Sequence, residues 1–428
     1  MQTEINKIYW PVVIFLIIQT MVSSELFWLL GLLVCIYEIV KRRGKIDLPF
    51  KEYKIFFVFL IWGTLIGLFG YLKGSIAIKD LVRDIFYFTN PIVFMYVGAK
   101  YAKHKIDIYR ILNAFLLSCG IISFFALADM FQNLISLSSA FSVESWRTVV
   151  GKGGVIIGIS IAIIFSGVIP SRNCLKKSIL IPITALSSTY LLFSLSRTDM
   201  LIAIIMYICL VFQKENAKKV IKRILIGALL ALVAIFILNS ILPQTISSAF
   251  TEKFLKSFSE MSSSHSWTTV EEIQGNWRGY ETYCAMNQWG NYNLIKQIFG
   301  AGFGERIYVG NYAYLFLKQV DAYGNPSSSI SVLHNGYATQ IIKLGVLGVI
   351  AYLFFYYKII KKALKEKRKY DSIYSRLLLG VGLVLLFQTY FLNGLFKDYC
   401  YYPMIIIIGY TAYNIQRNKL LDVLEGKN

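Results

Sequence analysis

Apolar stretches alternate with polar connections along nearly the whole chain. Twelve of them, centred on Val13, Leu30, Leu60, Val93, Leu116, Ile161, Ala185, Ile205, Ala234, Ile350, Val384 and Ile406, have the ~17 to 25 residues that a bilayer-spanning helix requires. The pattern predicts an all-α polytopic membrane protein with about twelve transmembrane helices. One segment breaks the rhythm: 242–330 is too long for a connection, so the expected organisation is nine spans in 1–241, a large loop in 242–330, and three more spans with a tail in 331–428. The loop is not low-complexity sequence, and it should fold. Phe250, Phe254, Leu255 and Phe258 recur at helical spacing, which suits a helix lying on the membrane surface or packing on its neighbours. A second helix is expected from Trp277 to Trp289, with Trp277, Tyr280 and Cys284 on one stripe and Arg278 and Glu281 three residues apart on another. The run Phe299-Gly300-Ala301-Gly302-Phe303-Gly304 reads as a flexible turn beside a surface. It follows no predicted strand and opens no helix with a Lys, so the nucleotide-binding fingerprints do not apply.

Charge then orients the chain. The net charge of +20 is not spread evenly. The amino terminus, the connections around Arg42, Lys103, Lys176, Lys219 and Lys362, and the carboxyl terminus hold 30 of the 44 Lys and Arg residues. Basic residues stay on the cytoplasmic side of alternate connections, so both termini are assigned to the cytoplasm and the large loop to the outer face. The charge is therefore a topology record, and no nucleic-acid partner is expected. Composition agrees, since 56% apolar residues, 15% aromatics and a mean hydropathy of +0.56 exceed what a soluble globule of this size carries. The first apolar run has no basic leader and no small-residue cleavage site, and is expected to stay as a span. Six scattered cysteines, with Cys284 in the loop and Cys400 near the outer end of the last span, predict no disulfide framework.

Several chemistries lack their residues. No Walker A sequence and no Asp-X-Asp pair occurs, and His104, His265 and His334 form no metal-ligand spacing. Any catalysis is expected to need no metal or other cofactor. Three outer-face residues stand out instead. Arg197 lies in the tight turn Ser194-Leu195-Ser196-Arg197-Thr198-Asp199 between the seventh and eighth spans, where a guanidinium costs free energy unless it meets an anion or a partner such as Asp199. Arg278 sits on the predicted loop helix, where Glu281 one turn on is able to neutralise it. His334, in Leu333-His334-Asn335-Gly336-Tyr337, opens the tenth span and suits either a base near neutral pH or a helix cap.

Together these stretches resemble the O-antigen ligase and O-antigen polymerase superfamily of bacterial envelope glycan assembly. The resemblance rests on their order: the Ser-X-Ser-Arg-Thr turn, an outer-loop Arg ahead of the Phe-Gly-X-Gly-Phe-Gly run, then His334-Asn335 opening a span that continues Lys343-Leu344-Gly345-Val346-Leu347-Gly348. It covers roughly 194–352. It implies a GT-C-like enzyme of the bacterial inner membrane that transfers a glycan from an undecaprenyl-diphosphate-linked oligosaccharide to an acceptor hydroxyl, without metal or nucleotide. On that reading Arg197 and Arg278 hold the diphosphate and stabilise it as it leaves. His334 takes the acceptor proton, with Glu281 as the competing base. Arg147, beside Trp146 in the outer loop before span six, is a third phosphate or sugar contact or else an interfacial anchor. Asn335, Gly302 and Gly304 complete the expected substrate contacts.

The resemblance leaves the acceptor open. A ligase uses lipid A core, and a polymerase uses another lipid-linked repeat unit, with a chain-length regulator protein as a possible partner. The family's ligases tend to follow His-Asn with an acidic residue, whereas Gly336-Tyr337 follows here, which favours the polymerase. Tyr308, Tyr312, Tyr314 and Tyr323 offer sugar-stacking surfaces in either case, or serve packing. A flippase or other transporter is the non-enzyme alternative. It is disfavoured because the long loop has no counterpart earlier in the chain and because the spans hold few charges, Lys343 and Asp129 being the main exceptions.

Overall fold

The computed structural model describes residues 5–43, 48–137, 154–194, 196–211, 267–318, 320, 324–396 and 402–424. The helices are α1 (Trp10–Met21), α2 (Ser24–Lys41), α3 (Lys54–Leu72), α4 (Ile78–Lys103), α5 (Ile108–Leu137), α6 (Gly154–Ser166), α7 (Lys177–Ser194) and α8 (Arg197–Val211). After a gap in the described residues come the loop elements: α9 (Val270–Gly275), α10 (Trp277–Gly290), α11 (Leu294–Phe299), β1 (Ile307–Tyr308), α12 (Tyr312–Leu317) and β2 (Ser329–Ile330). The chain closes with α13 (Gly336–Tyr370), α14 (Ile373–Leu392) and α15 (Tyr402–Leu424). A helix covers every predicted span centre except Ala234, which lies outside the described residues. Five stretches, Lys51–Leu72, Ile108–Gln132, Lys177–Ser194, Gly336–Tyr370 and Ile373–Leu392, are long and apolar enough to cross a membrane by length and composition. The chain is thus a multi-pass, mostly helical membrane protein. The expected helix around Phe250 to Phe258, along with Arg147, His265, Tyr323 and Cys400, also falls outside the described residues.

The chain forms two compact units that interleave along the sequence. The first comprises Met1–Ser23, Tyr101–Met261 and Glu366–Val384. In it α6 packs closely on α8, where Gly158 leaves no room for a side chain against the Asp199 carbonyl. The Asn113 amide donates to the carbonyls of Lys7 (3.0 Å) and Asn173 (2.7 Å), tying α5 to two connections.

The second unit comprises Ser24–Lys100, Ser262–Lys365 and Leu385–Asn428, and it holds the described part of the large loop. The long helix α13 is broken at Gly345, whose φ of 68° and ψ of −172° no ordinary residue adopts at low cost. The break frees carbonyls from the helical ladder, and the glycine run supplies their donors. Ala301 N–H donates to the Ile342 carbonyl (2.8 Å), and Gly302 N–H donates to that of Lys343 (3.0 Å). Phe303 N–H then reaches the Gly63 carbonyl on α3 (2.9 Å). A Cβ on Gly302, at φ 91°, would fall 2.5 Å from the Gly67 nitrogen, so glycine is a steric requirement there.

Beyond the run, Gly304 N–H donates to Asp84 on α4 (2.6 Å), and Asp84 is ion-paired with the fully buried Lys343. Lys343 also donates to the Glu305 carbonyl (3.1 Å). Arg306 donates to Asp80 (3.0 Å), to Ser327 Oγ (3.0 Å) and to Ser329 Oγ (2.8 Å), clamping the two strands to the start of α4. Asp80, Arg83 and Asp84 lie in the first two turns of α4, where pairing with Arg306 and Lys343 satisfies the two carboxylates.

Candidate functional site

Helix α10 occupies the span expected of it and uses its apolar stripe as anticipated. Asn276 caps its start by accepting from Gly279 N–H (3.1 Å). Trp277, Tyr280, Cys284 and Trp289 pack on a core of Ala285, Ile307, Val309, Ala313, Ile330, Leu333, Ala338 and Ile342, which joins the loop elements to the start of α13. This packing turns Glu281 inward, leaving it 1% exposed. A carboxylate so placed must be satisfied by donors, and three are present. Trp277 Nε1 donates to Oε1 at 2.6 Å, while Oε2 receives His334 N–H at 3.0 Å and lies 2.9 Å from His334 Nδ1. Arg278, exposed on the same helix, offers its carbonyl to the Thr282 hydroxyl (3.0 Å).

His334 does not cap α13. That role falls to Asn335, whose Oδ1 accepts from Tyr337 N–H (3.1 Å) and Ala338 N–H (3.2 Å) and whose amide donates to Thr282 Oγ1 (3.3 Å). The turn before the helix is gripped from α14's end by Asn393, a residue the sequence reading passed over. Asn393 N–H donates to the His334 carbonyl (2.6 Å), and its amide donates to the Leu333 carbonyl (2.9 Å). A Cβ on Gly336 would lie 2.8 Å from the Asn393 backbone. His334 is thus fixed through its N–H, its carbonyl and one ring nitrogen.

The chemistry of this pair follows from its geometry. An anionic Glu281 accepts from Nδ1–H, which leaves Nε2 of a neutral ring as a free lone pair, and the His334 side chain is 33% exposed. The arrangement is that of a base held in one tautomer by a buried carboxylate. The nearby thiol does not compete as a nucleophile, because burial pushes the Cys284 pKa up and the Glu281 charge adds to the rise. The Tyr292 phenol is raised chiefly by burial and then by the Glu305 carboxylate, to which it donates at 2.9 Å.

The remaining expected site residues separate. Asn335 stands next to the dyad. Gly302 and Gly304 lie in the glycine run, packed against Gly67 and Leu81. Arg197 is the first residue of α8 in the other unit, just after Ser196, whose Oγ accepts from Asp199 N–H (3.3 Å). Tyr312 joins a ring cluster with Tyr280 (5.4 Å) and Phe316 (5.8 Å), whereas Tyr308 and Tyr314 are exposed. Signals for Asn393 and Asp84 were present only as polar residues at span ends, with nothing to mark their partners.

No curated protein and no solved structure matches the chain. Residues 182–353, from within α7 through Arg197 and the Glu281–His334 pair to the middle of α13, match the family model described as O-Antigen ligase.

Proposed function

We propose that this protein is a metal-independent glycosyltransferase that polymerises undecaprenyl-diphosphate-linked oligosaccharide repeat units on the outer face of the bacterial inner membrane. The observation that carries the reading is the contact of 2.9 Å between buried Glu281 and His334 Nδ1. In the proposed reaction Nε2 of His334 removes the proton of an acceptor sugar hydroxyl as its oxygen forms a bond to the donor's anomeric carbon. The bond from that carbon to the diphosphate oxygen breaks, and the lipid diphosphate leaves with the electron pair. Glu281, enclosed and accepting three hydrogen bonds, serves better as the group that orients His334 and stabilises its cationic form than as the base itself. Arg278, on the helix that carries Glu281, is assigned to the diphosphate, whose growing charge a planar guanidinium matches. Asn335 positions the dyad through its cap. The packing of Gly302 and Gly304 supports a structural role for them in place of sugar contact.

Two observations bear on the acceptor. The family model is described by the ligase name, which keeps lipid A core as the alternative acceptor. Gly336, by contrast, sits where Asn393 leaves no space for the acidic side chain that tends to follow His-Asn in the ligases, and this supports the polymerase. The test is incubation of purified protein in nanodiscs with lipid-linked repeat units alone and then with lipid A core. A ladder from the repeat units alone supports the polymerase, product only with lipid A core makes it a ligase, and no product in either arm returns a transporter to the front.

A further inference from the structure

The hydrogen bonds of the glycine run fix its depth along the spans. Gly63, which accepts from Phe303, lies nine residues from the Leu72 end of α3, or about 14 Å at 1.5 Å per residue. Lys343, which accepts from Gly302, lies seven residues into α13, about 10 Å. Asp84, which accepts from Gly304, lies six residues into α4, about 9 Å. Half a hydrocarbon core is about 15 Å, so α3 and α13, both long and apolar enough to cross a membrane, put this backbone well inside one leaflet. The descending limb has the matching length. The six residues of α11 descend about 9 Å. On the way out, Gly304 N–H meets Asp84 and the Arg306 guanidinium meets Asp80, one turn nearer the start of α4.

We infer that residues 294–304 are a re-entrant segment, with Leu294, Ile295 and Phe299 lying against the hydrocarbon chains of the bilayer leaflet on the Leu72 side. Irregular backbone is tolerated at such depth only where protein satisfies its polar groups, and the Ile342, Lys343, Gly63 and Asp84 acceptors do so. The descending helix leaves Leu294 and Ile295 each 70% exposed and Phe299 45% exposed. Their surface continues that of α3: the Phe299 ring meets Trp62 at 5.8 Å, and Ile61 and Leu65 beside it are 59% and 61% exposed. Lys296, the basic residue of α11, places its ammonium over the Tyr292 ring (5.3 Å), four residues back along the chain. The inference stands on span geometry and is independent of the reaction assigned to the protein.

The test uses the full chain in proteoliposomes. Spin labels on Ile295→Cys and Phe299→Cys, measured against a mock-labelled wild-type background, should relax faster with oxygen than with a nickel chelate, and a label on Tyr308→Cys in the loop should show the reverse. Preferential relaxation by the chelate at both 295 and 299 would overturn the proposal. A second measurement needs no variant: a phospholipid carrying a diazirine midway along its acyl chain, photolysed with the wild-type protein, should leave adducts on the peptide holding 294–299. Adducts on the α3 peptide with none on 294–299 would equally overturn it.

Discussion

Glu281→Gln is the sharpest probe of the dyad, because it preserves shape while replacing one carboxylate oxygen with an NH2 group. Oε1 serves Trp277, and Oε2 serves both the backbone and the ring of His334. Glutamine retains one acceptor, so some donor must face a donor. If the NH2 group points at Trp277, a buried indole N–H loses its partner, at about 1–3 kcal/mol. If it points at His334, the backbone N–H is orphaned at a similar cost, and the ring stays bonded only by accepting at Nδ1, which protonates Nε2 and removes the base. In both arrangements the anion that stabilises the imidazolium is gone. Turnover should fall by about 10²- to 10⁴-fold, or ~2.7–5.4 kcal/mol of barrier, with a modest loss of thermal stability. The assay is the initial rate of product formation from lipid-linked repeat units in nanodiscs, paired with melting monitored by size-exclusion fluorescence. His334→Ala should show a comparable loss, and the double variant should be no slower than the slower single variant, since the two residues act as one unit. A folded Glu281→Gln protein with a rate within about threefold of the wild type, far short of the loss of a general base, refutes the reasoning, as does a double variant whose losses add.

Three further outcomes are expected. Arg278→Ala should still run as a monodisperse peak on size exclusion while lowering product formation by about 10²-fold or more if the side chain holds the diphosphate; Arg278→Lys should not restore it. Lys343→Met strands the buried Asp84 carboxylate and should cost about 3–5 kcal/mol, read as a lost monodisperse peak on size exclusion, whereas Lys343→Met combined with Asp84→Leu should recover part of that loss. Gly302→Ala should fail to accumulate as folded protein, because its Cβ meets the Gly67 nitrogen at 2.5 Å and nothing flexible is there to yield.

The parts of this molecule that were legible in sequence are those governed by local periodicity. The run from Trp277 to Trp289 announced α10 and its buried stripe, and eleven of the twelve apolar stretches announced helices among the described residues. What escaped was set by tertiary pairing. The pairing of Asp80 and Asp84 could not be read locally, because their partners, Arg306 and Lys343, lie more than 220 positions away. The i, i+3 spacing of Arg278 and Glu281 suggested a surface pair, but packing turned Glu281 inward, where Trp277 and His334 hold it. The capping role open to His334 went to Asn335 for the same kind of reason: once Glu281 held the ring and Asn393 the carbonyl, the neighbouring side chain was left to meet the helix start.

The break at Gly345 has a mechanical consequence. A continuous helix transmits bending and axial displacement along its length, but α13 is interrupted nine residues after Gly336, about 13 Å from its start. The carbonyls near that interruption are bonded to Ala301 and Gly302 instead of to the helix beyond. The short upper segment carrying His334 is therefore coupled to the loop that carries Glu281 and uncoupled from the rest of its own helix. Bending of the span beyond the glycine is expected to be taken up there, which would leave His334 and Glu281 aligned.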